Sequence, residues 1–309
     1  MNELMPIAVF GESLVDIVHS KSGASVRPGG SPLNVAVGLA RLGADVEFAT
    51  SVGEDTYGNL VLEHLTAAGV HVTPGSVGDA PTSAAEAIIG ADGSASYRFD
   101  LQWAPSAKPQ RAAIAGHLGS VSAVLQPGAT CVVEWAADLS AESLVSFDPN
   151  IRPSITGTGQ TLRDAVERAV AVSDVVKLSS EDLVLLGEPN LPERWVDGGT
   201  TLVVVTDGRR GARVVTRAGH LDVPARAVAV VDTIGAGDSF MAGLLWSLGC
   251  DGLLDQAALR QAPLERLAQH ARFATDCAAV TVGRVGADPP TSADVADLPK
   301  RDQSVPVAS

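Results

Sequence analysis

A chain of 309 residues, 46% hydrophobic and only 19% charged, can bury a large core, which excludes a disordered or fibrous molecule and points to one large domain with at most a small appendage. The formal net charge of −14 argues against nucleic acid or an anionic membrane as the main partner, so an anionic ligand must be held by helix N-termini, exposed amides, a metal ion or a few placed arginines. Three cysteines, Cys131, Cys250 and Cys277, outside any CxxC spacing indicate neither a disulfide framework nor zinc, and with no targeting or membrane-spanning run in view the expectation is a cytoplasmic protein.

From the start, "PIAVFG" (6–11) reads as a strand, and "SLVDIVHSKSGASVRPGG" (13–30) as two more strands without an intervening helix. "RPGGSPLNVAVGLARLG" (27–43) opens a helix, with Ser31 as N-cap, Pro32 at the first helical position and Gly43 as its stop. Gly29 and Gly30 then lie just before a helix N-terminus and Asn34 in its first turn. That arrangement suits a polyhydroxylated ligand or a phosphate, and is equally an ordinary entry from loop to helix. "DVEFATSVG" (45–53) is the next strand. "SAAEAIIGADGSASYRFDLQW" (83–103) reads as a strand pair turning at Asp92-Gly93, which with 13–30 makes a small β-rich flap. Alternation sets Arg98 opposite Tyr97 and Phe99, so one face can cover a ligand, or the aromatics can pack the flap or a partner's flap. "TCVVEW", "LVSFDPN", "DVVKLS", "TLVVVTDG" and "ARAVAVVD" complete the strands, with helical stretches between most of them. Such alternation implies a mostly parallel sheet covered on both faces, with ligands beyond the carboxyl ends of the strands. The polar stretch from Arg301 to Ser309 reads as a disordered tail.

Late in the chain, "VDTIGAGDSFMAGLLWSLG" (231–249) carries Met241, Leu244, Leu245 and Leu248 at helical spacing, with Gly249 as its stop. The helix therefore begins near Gly235 to Asp238, where glycines leave the orphan amides bare and the helix dipole favours an anion. Asp238 inside that cradle would repel a phosphate unless it has a chemical task such as accepting a proton; the plain alternative is a capping acid. "GDSFM" comes near the GxSxG nucleophile elbow on Ser239, but Met241 crowds the place of the second glycine.

Taken together, "GGSPLNVAVGLARLG" and "DTIGAGD" resemble the two signature segments of the ribokinase-like (PfkB) sugar kinases, and "VGEDTYGNLVLEHLTAAGV", "FDPNIRP" and "VTDGRRGA" extend the resemblance over nearly the whole chain. Walker A and GxGxxG are both absent. The resemblance implies a three-layer α/β/α fold with a small β-sheet lid: 1–12, 31–82 and 104–300 as the nucleotide- and sugar-binding core, 13–30 and 83–103 as the lid. It implies Asp238 as general base on a sugar hydroxyl, with Gly235, Ala236 and Gly237 as the anion hole. Asp16, Gly29, Gly30 and Asn34 would hold the sugar, with Arg98, Asn150 and Arg152 completing that site, although "DPN" is by itself a turn signal. Thr206, Gly208 and Gly211 would line the ATP site, unless the glycines only turn a hairpin, with Ser179, Ala278 and Gly286 beside them. Mg²⁺ is required to screen ATP, and K⁺ is the second ion implied. Asp182, Asp232 and Thr233 are the residues implied for metal. Where many members carry NxxE, this chain has Ser179 and Asp182, which is also a good helix start.

Within the family the combination most resembles the bacterial fructokinases, which implies transfer of the γ-phosphoryl group of ATP to the C6 hydroxyl of fructose. 2-Keto-3-deoxygluconate, ribose and nucleosides are the alternatives of the same chemistry, and a non-catalytic sugar or nucleotide sensor is the alternative of another class. A homodimer through the lid is the implied assembly, without nucleic acid or membrane.

Overall fold

The strands "LVSFD" and "VVKLS" are almost continuously apolar, as strands must be when helices cover both faces of a parallel sheet. In the computed structural model, which describes residues 5–20, 23–89 and 95–298, they lie in the middle of a nine-stranded sheet. The order is Gly219–Val223, Ala212–Thr216, Leu202–Thr206, Val175–Ser179, Leu144–Asp148, Ala115–Gly119, Pro6–Phe10, Asp45–Ala49 and His71–Val72. Seven strands run parallel, and the two at the first edge return antiparallel as a hairpin meander.

Side-chain alternation divides the core into two layers. Ile7, Val9, Leu144, Val175, Leu202 and Val204 pack with helices Ser31–Leu42, Ala236–Cys250 and Leu264–Val282. Phe10, Leu118, Phe147, Val176 and Val203 pack with helices Gly128–Ser140, Gln160–Val170 and Leu191–Gly198. Each fully buried Leu, Val or Phe contributes about 1.5–3 kcal/mol, so these faces outweigh helix propensity in fixing the layers. Within the first layer, Gly243 allows close approach, since a side chain there would meet the Cys277 sulfur at 2.7 Å.

A second, four-stranded sheet pairs Gly23–Gly29, Leu14–Ser20, Ala84–Ile89 and Ala95–Asp100 in that order. Its central pair is parallel and its outer pairs antiparallel. It stands where the flap segments predict strands; the expected turn at Asp92-Gly93 and the tail Arg301–Ser309 lie outside the described residues. No described helix is long and apolar enough to cross a membrane.

Two expected strands are corrected. "TCVVEW" lies within helix Gly128–Ser140. Its buried positions, Ala129, Val132 and Ala136, recur at three and four, so the helical period wins over the local β-branched run. "ARAVAVVD" forms no strand: Val228, Val230 and Val231 are exposed, and the Val231 and Asp232 amides both donate to the Val282 carbonyl instead of to a ladder. Conversely, strand Ala115–Gly119 escapes sequence reading because two glycines and a histidine occupy three of its five positions.

Candidate active site

The two glycine-rich segments meet at one carboxylate. Gly235 caps helix Ala236–Cys250 in the left-handed conformation (φ 75°), so the chain enters the helix with no side chain capping its first turn. Asp238 is the third residue of that helix and is only 7% exposed. Its Oδ1 accepts from Ser31 Oγ at 2.6 Å and its Oδ2 from Asn34 Nδ2 at 2.8 Å. Ser31 is therefore not the N-cap the sequence suggests. Gly30 takes that place and Pro32 moves to the second position, because the hydroxyl is spent on Asp238. Nor does Gly249 stop the late helix, which runs to Cys250.

Asp16, on strand Leu14–Ser20, occupies the space that a side chain on Gly29 would need. Its carboxyl is open to solvent but lies low enough that burial raises it above its ordinary value, against the pull of Arg152. Arg152 and Asn150 follow strand Leu144–Asp148, where Asn150 takes a left-handed backbone (φ 37°) and its amide donates to Asp148 Oδ1. Asn is among the few residues that tolerate this conformation. Gly30 (φ 110°) passes over the Glu12 carbonyl, 2.7 Å from where a side chain would begin. Arg98 does not join the group. Register places Arg98 on the face shared with Ile17 and Glu86, opposite to Asp16, where it lines a cavity of about 570 Å³ with Asp55, Tyr57 and Asp100. That alternation sets Arg98 and Asp16 on opposite faces of the small sheet.

Across the sheet edge, Thr206 ends one strand beside Ser179 at the end of the next. Gly208 lies in a single 3₁₀ turn, and Gly211 closes a hairpin in which the Asp207 amide donates to its carbonyl at 2.7 Å. Gly286 (φ 78°) donates to Asp232 Oδ2, the Ile234 amide donates to Oδ1, and the Thr233 carbonyl accepts from Ala236. Ala278 faces the core layer from helix Leu264–Val282. Ser179 and Asp182 form the capping box of helix Ser180–Leu186. Asp182 is 4% exposed and spends Oδ1 on the Ile151 amide and Oδ2 on Ser179, so a direct bond to Mg²⁺ would compete with that cap. Among the described residues no cluster of three or more His, Cys, Asp or Glu is arranged to hold a metal ion.

Beneath Asp238 lies a buried polar layer that sequence reading missed. Lys177 Nζ donates to Asp148 Oδ2 at 2.8 Å, both groups being almost without exposure. Burial pulls the lysine down, but Asp148, Asp238 and Asp182 together hold its ammonium above the ordinary value. Burial pushes the Asp148 carboxyl up to about 6 despite Lys177. Glu12 is pushed to about 8, chiefly by burial and in lesser part by Asp238, while the Ser120 hydroxyl and Ser122 amide oppose the rise. His117 falls to about 3 because it is buried and because Lys177 is near. The one sequence signal for this layer was a lysine on an otherwise apolar strand. Arg27 is a second omission: it extends from the small sheet to Gly286, 2.8 Å from where a side chain would begin, and adds to the Ile234 and Gly286 amides that hold Asp232 below the usual carboxylate range.

The sequence profile described as pfkB family carbohydrate kinase matches residues 5–294. A fructokinase of Klebsiella pneumoniae is 34% identical over 300 residues, covering 91% of this chain and 94% of that protein. Among solved structures, a Xylella fastidiosa fructokinase with bound ATP superposes with a TM-score of 0.81 at 29% identity, over 94% of this chain and 97% of its own. A double mutant of Vibrio cholerae O395 fructokinase, holding fructose, ADP and a potassium ion, gives 0.79 at 29% identity, over 96% and 99%.

Proposed function

Since the chain belongs to the pfkB carbohydrate kinases, phosphotransferases that act on a sugar hydroxyl, we propose that it is an ATP-dependent fructokinase, forming fructose 6-phosphate and ADP. The observation that carries the proposal is Asp238, an acid in the first turn of a helix that no side chain caps, whose two oxygens are held by Ser31 and Asn34. A carboxylate fixed by two donors keeps its remaining lone pairs aimed in one direction. There it takes the proton of the sugar C6 hydroxyl as that oxygen bonds to the γ-phosphorus and the bond from phosphorus to the ADP oxygen breaks. The amides around Gly235, Ala236 and Gly237 receive the charge on the moving phosphoryl group, and such transfer depends mainly on placement and electrostatics.

Asp16, Gly29, Gly30 and Asn34 then bind the sugar, and Arg152 reaches both sugar and phosphate. Thr206, Gly208, Gly211, Ser179, Ala278 and Gly286 shape the nucleotide site, and the small sheet acts as a lid. Asp182 and Asp232 already accept backbone hydrogen bonds on both oxygens, so no step is routed through a protein-bound Mg²⁺; the ion enters on the ATP phosphates and screens their charge. K⁺ is the monovalent ion proposed for the loop of Asp232 and Thr233. A homodimer through the small sheet, where Val18 is exposed, and a cytoplasmic setting belong to the same reading.

The test is a coupled ADP-release screen with fructose, ribose, 2-keto-3-deoxygluconate, fructose phosphates and nucleosides. Fructose is expected to give the highest kcat/KM. A higher value for another acceptor would move the substrate assignment, and no acceptor-dependent ADP at all would favour a sensor.

A further inference from the structure

The buried layer beneath Asp238 contains one cation and several acids. Among the described residues Lys177 is the only buried lysine or arginine, while Glu12, Asp148, Asp182 and Asp238 are all buried carboxyls. The Lys177 ammonium has three donors, one of which goes to Asp148 Oδ2 at 2.8 Å. Nζ also lies 2.9 Å from where a side chain on Gly237 would begin, so glycine at that position is what lets the ammonium press against the first turn of the late helix.

The neighbouring histidine cannot supply that charge. Ser146 Oγ donates to the Gly116 carbonyl, so it can only accept from His117 Nδ1. His117 is therefore the neutral Nδ1–H tautomer, and its Nε2 presents a buried lone pair without a partner. A buried ion pair alone is weak reason to keep a lysine, because an apolar pair of the same volume is often as stable. A lysine packed against amides that must receive anionic charge has a stronger one.

We propose that Lys177 is a positioning residue for phosphoryl transfer: acting through Asp148 and the N-terminal turn at Gly237, it keeps a fixed positive charge under the anion hole of an otherwise strongly acidic site. This rests on the kinase reading above. The hydroxyl proton goes to Asp238, the phosphoryl group moves from ADP oxygen to sugar oxygen, and Lys177 exchanges no proton. Its charge favours the state in which negative charge has spread over the migrating group, and so acts on turnover more than on ground-state binding.

The experiment compares wild type with Lys177→Met and with the double variant Lys177→Met/Asp148→Asn, which removes both members of the ion pair and so does not leave the Asp148 carboxylate without its partner. Each is assayed for thermal unfolding, for kcat and KM with the best acceptor of the wild type, and by calorimetry for ADP and for ADP with aluminium fluoride, a mimic of the phosphoryl group in flight. The expected result is a double variant that unfolds within a few degrees of wild type, binds ADP within about threefold, and loses about a hundredfold in both kcat and affinity for the fluoride complex. A double variant with kcat and fluoride-complex affinity within threefold of wild type overturns the proposal and leaves Lys177 as strand packing. If the wild type releases no ADP with any acceptor, the kinase reading fails by itself. The fluoride-complex comparison needs no turnover and still decides the role of Lys177.

Discussion

Asp238 owes its geometry to two residues more than two hundred positions earlier in the chain. Ser31 Oγ, 2.6 Å from Oδ1, is the shorter contact, and a hydrogen bond to a charged group is worth about 1.5–3 kcal/mol. Ser31→Ala is therefore expected to lower kcat about tenfold through misplacement of the base while leaving KM for ATP within about twofold, measured by steady-state kinetics. An unchanged kcat would show that Asn34 alone suffices to hold the carboxylate. Substitution at Ser239, the candidate of the elbow-like "GDSFM", gives the opposite expectation: its hydroxyl accepts from Thr281 Oγ1 at 2.7 Å inside the core layer and has no part in the site.

At the scale of elements, strand Ala115–Gly119 carries His117 into the buried layer near Lys177. His117 is neutral in the folded state, with a value near 3 against an ordinary 6.5. A depressed folded value means that the stabilisation is present above about 6.5 and is lost as pH falls toward 3, because the unfolded chain then binds a proton the folded one refuses. His117→Gln, whose amide can still donate to Ser146, should flatten that acid limb by up to about 1.4 kcal/mol per pH unit in denaturant unfolding between pH 6 and 4. Equal slopes for both proteins would show that His117 takes up a proton without unfolding. The same strand marks the limit of sequence reading for elements. Its glycines and histidine carry no strand signal, whereas "TCVVEW" carries a false one, and in both cases the decision lies with the layer packed against the segment.

For the molecule as a whole, fold and site were legible to different depths. The alternation of strands and helices and the two signature segments announce the parallel sheet, the helix N-terminus at Gly235 and the acid at Asp238, because each is written within a few consecutive residues. Ser31 as a donor to that acid, and the Lys177 layer beneath it, were not legible. They depend on strands and helices far apart in the chain lying side by side, and local spacing does not encode which neighbour a side chain meets. Arg98 shows the same limit in reverse. Alternation correctly separates it from its neighbours in sequence, but which face of the small sheet looks toward Asp16 becomes known only when the sheet is seated on the core.

The central claim is that Asp238 removes the acceptor proton during phosphoryl transfer. Its most direct test is the product formed from fructose and ATP by wild type and Asp238→Asn, followed by mass spectrometry alongside calorimetric ADP binding. The account predicts fructose 6-phosphate from the wild type and, from the variant, the same product at least about a hundredfold more slowly with ADP affinity retained. A variant that turns over at nearly the wild-type rate would contradict it.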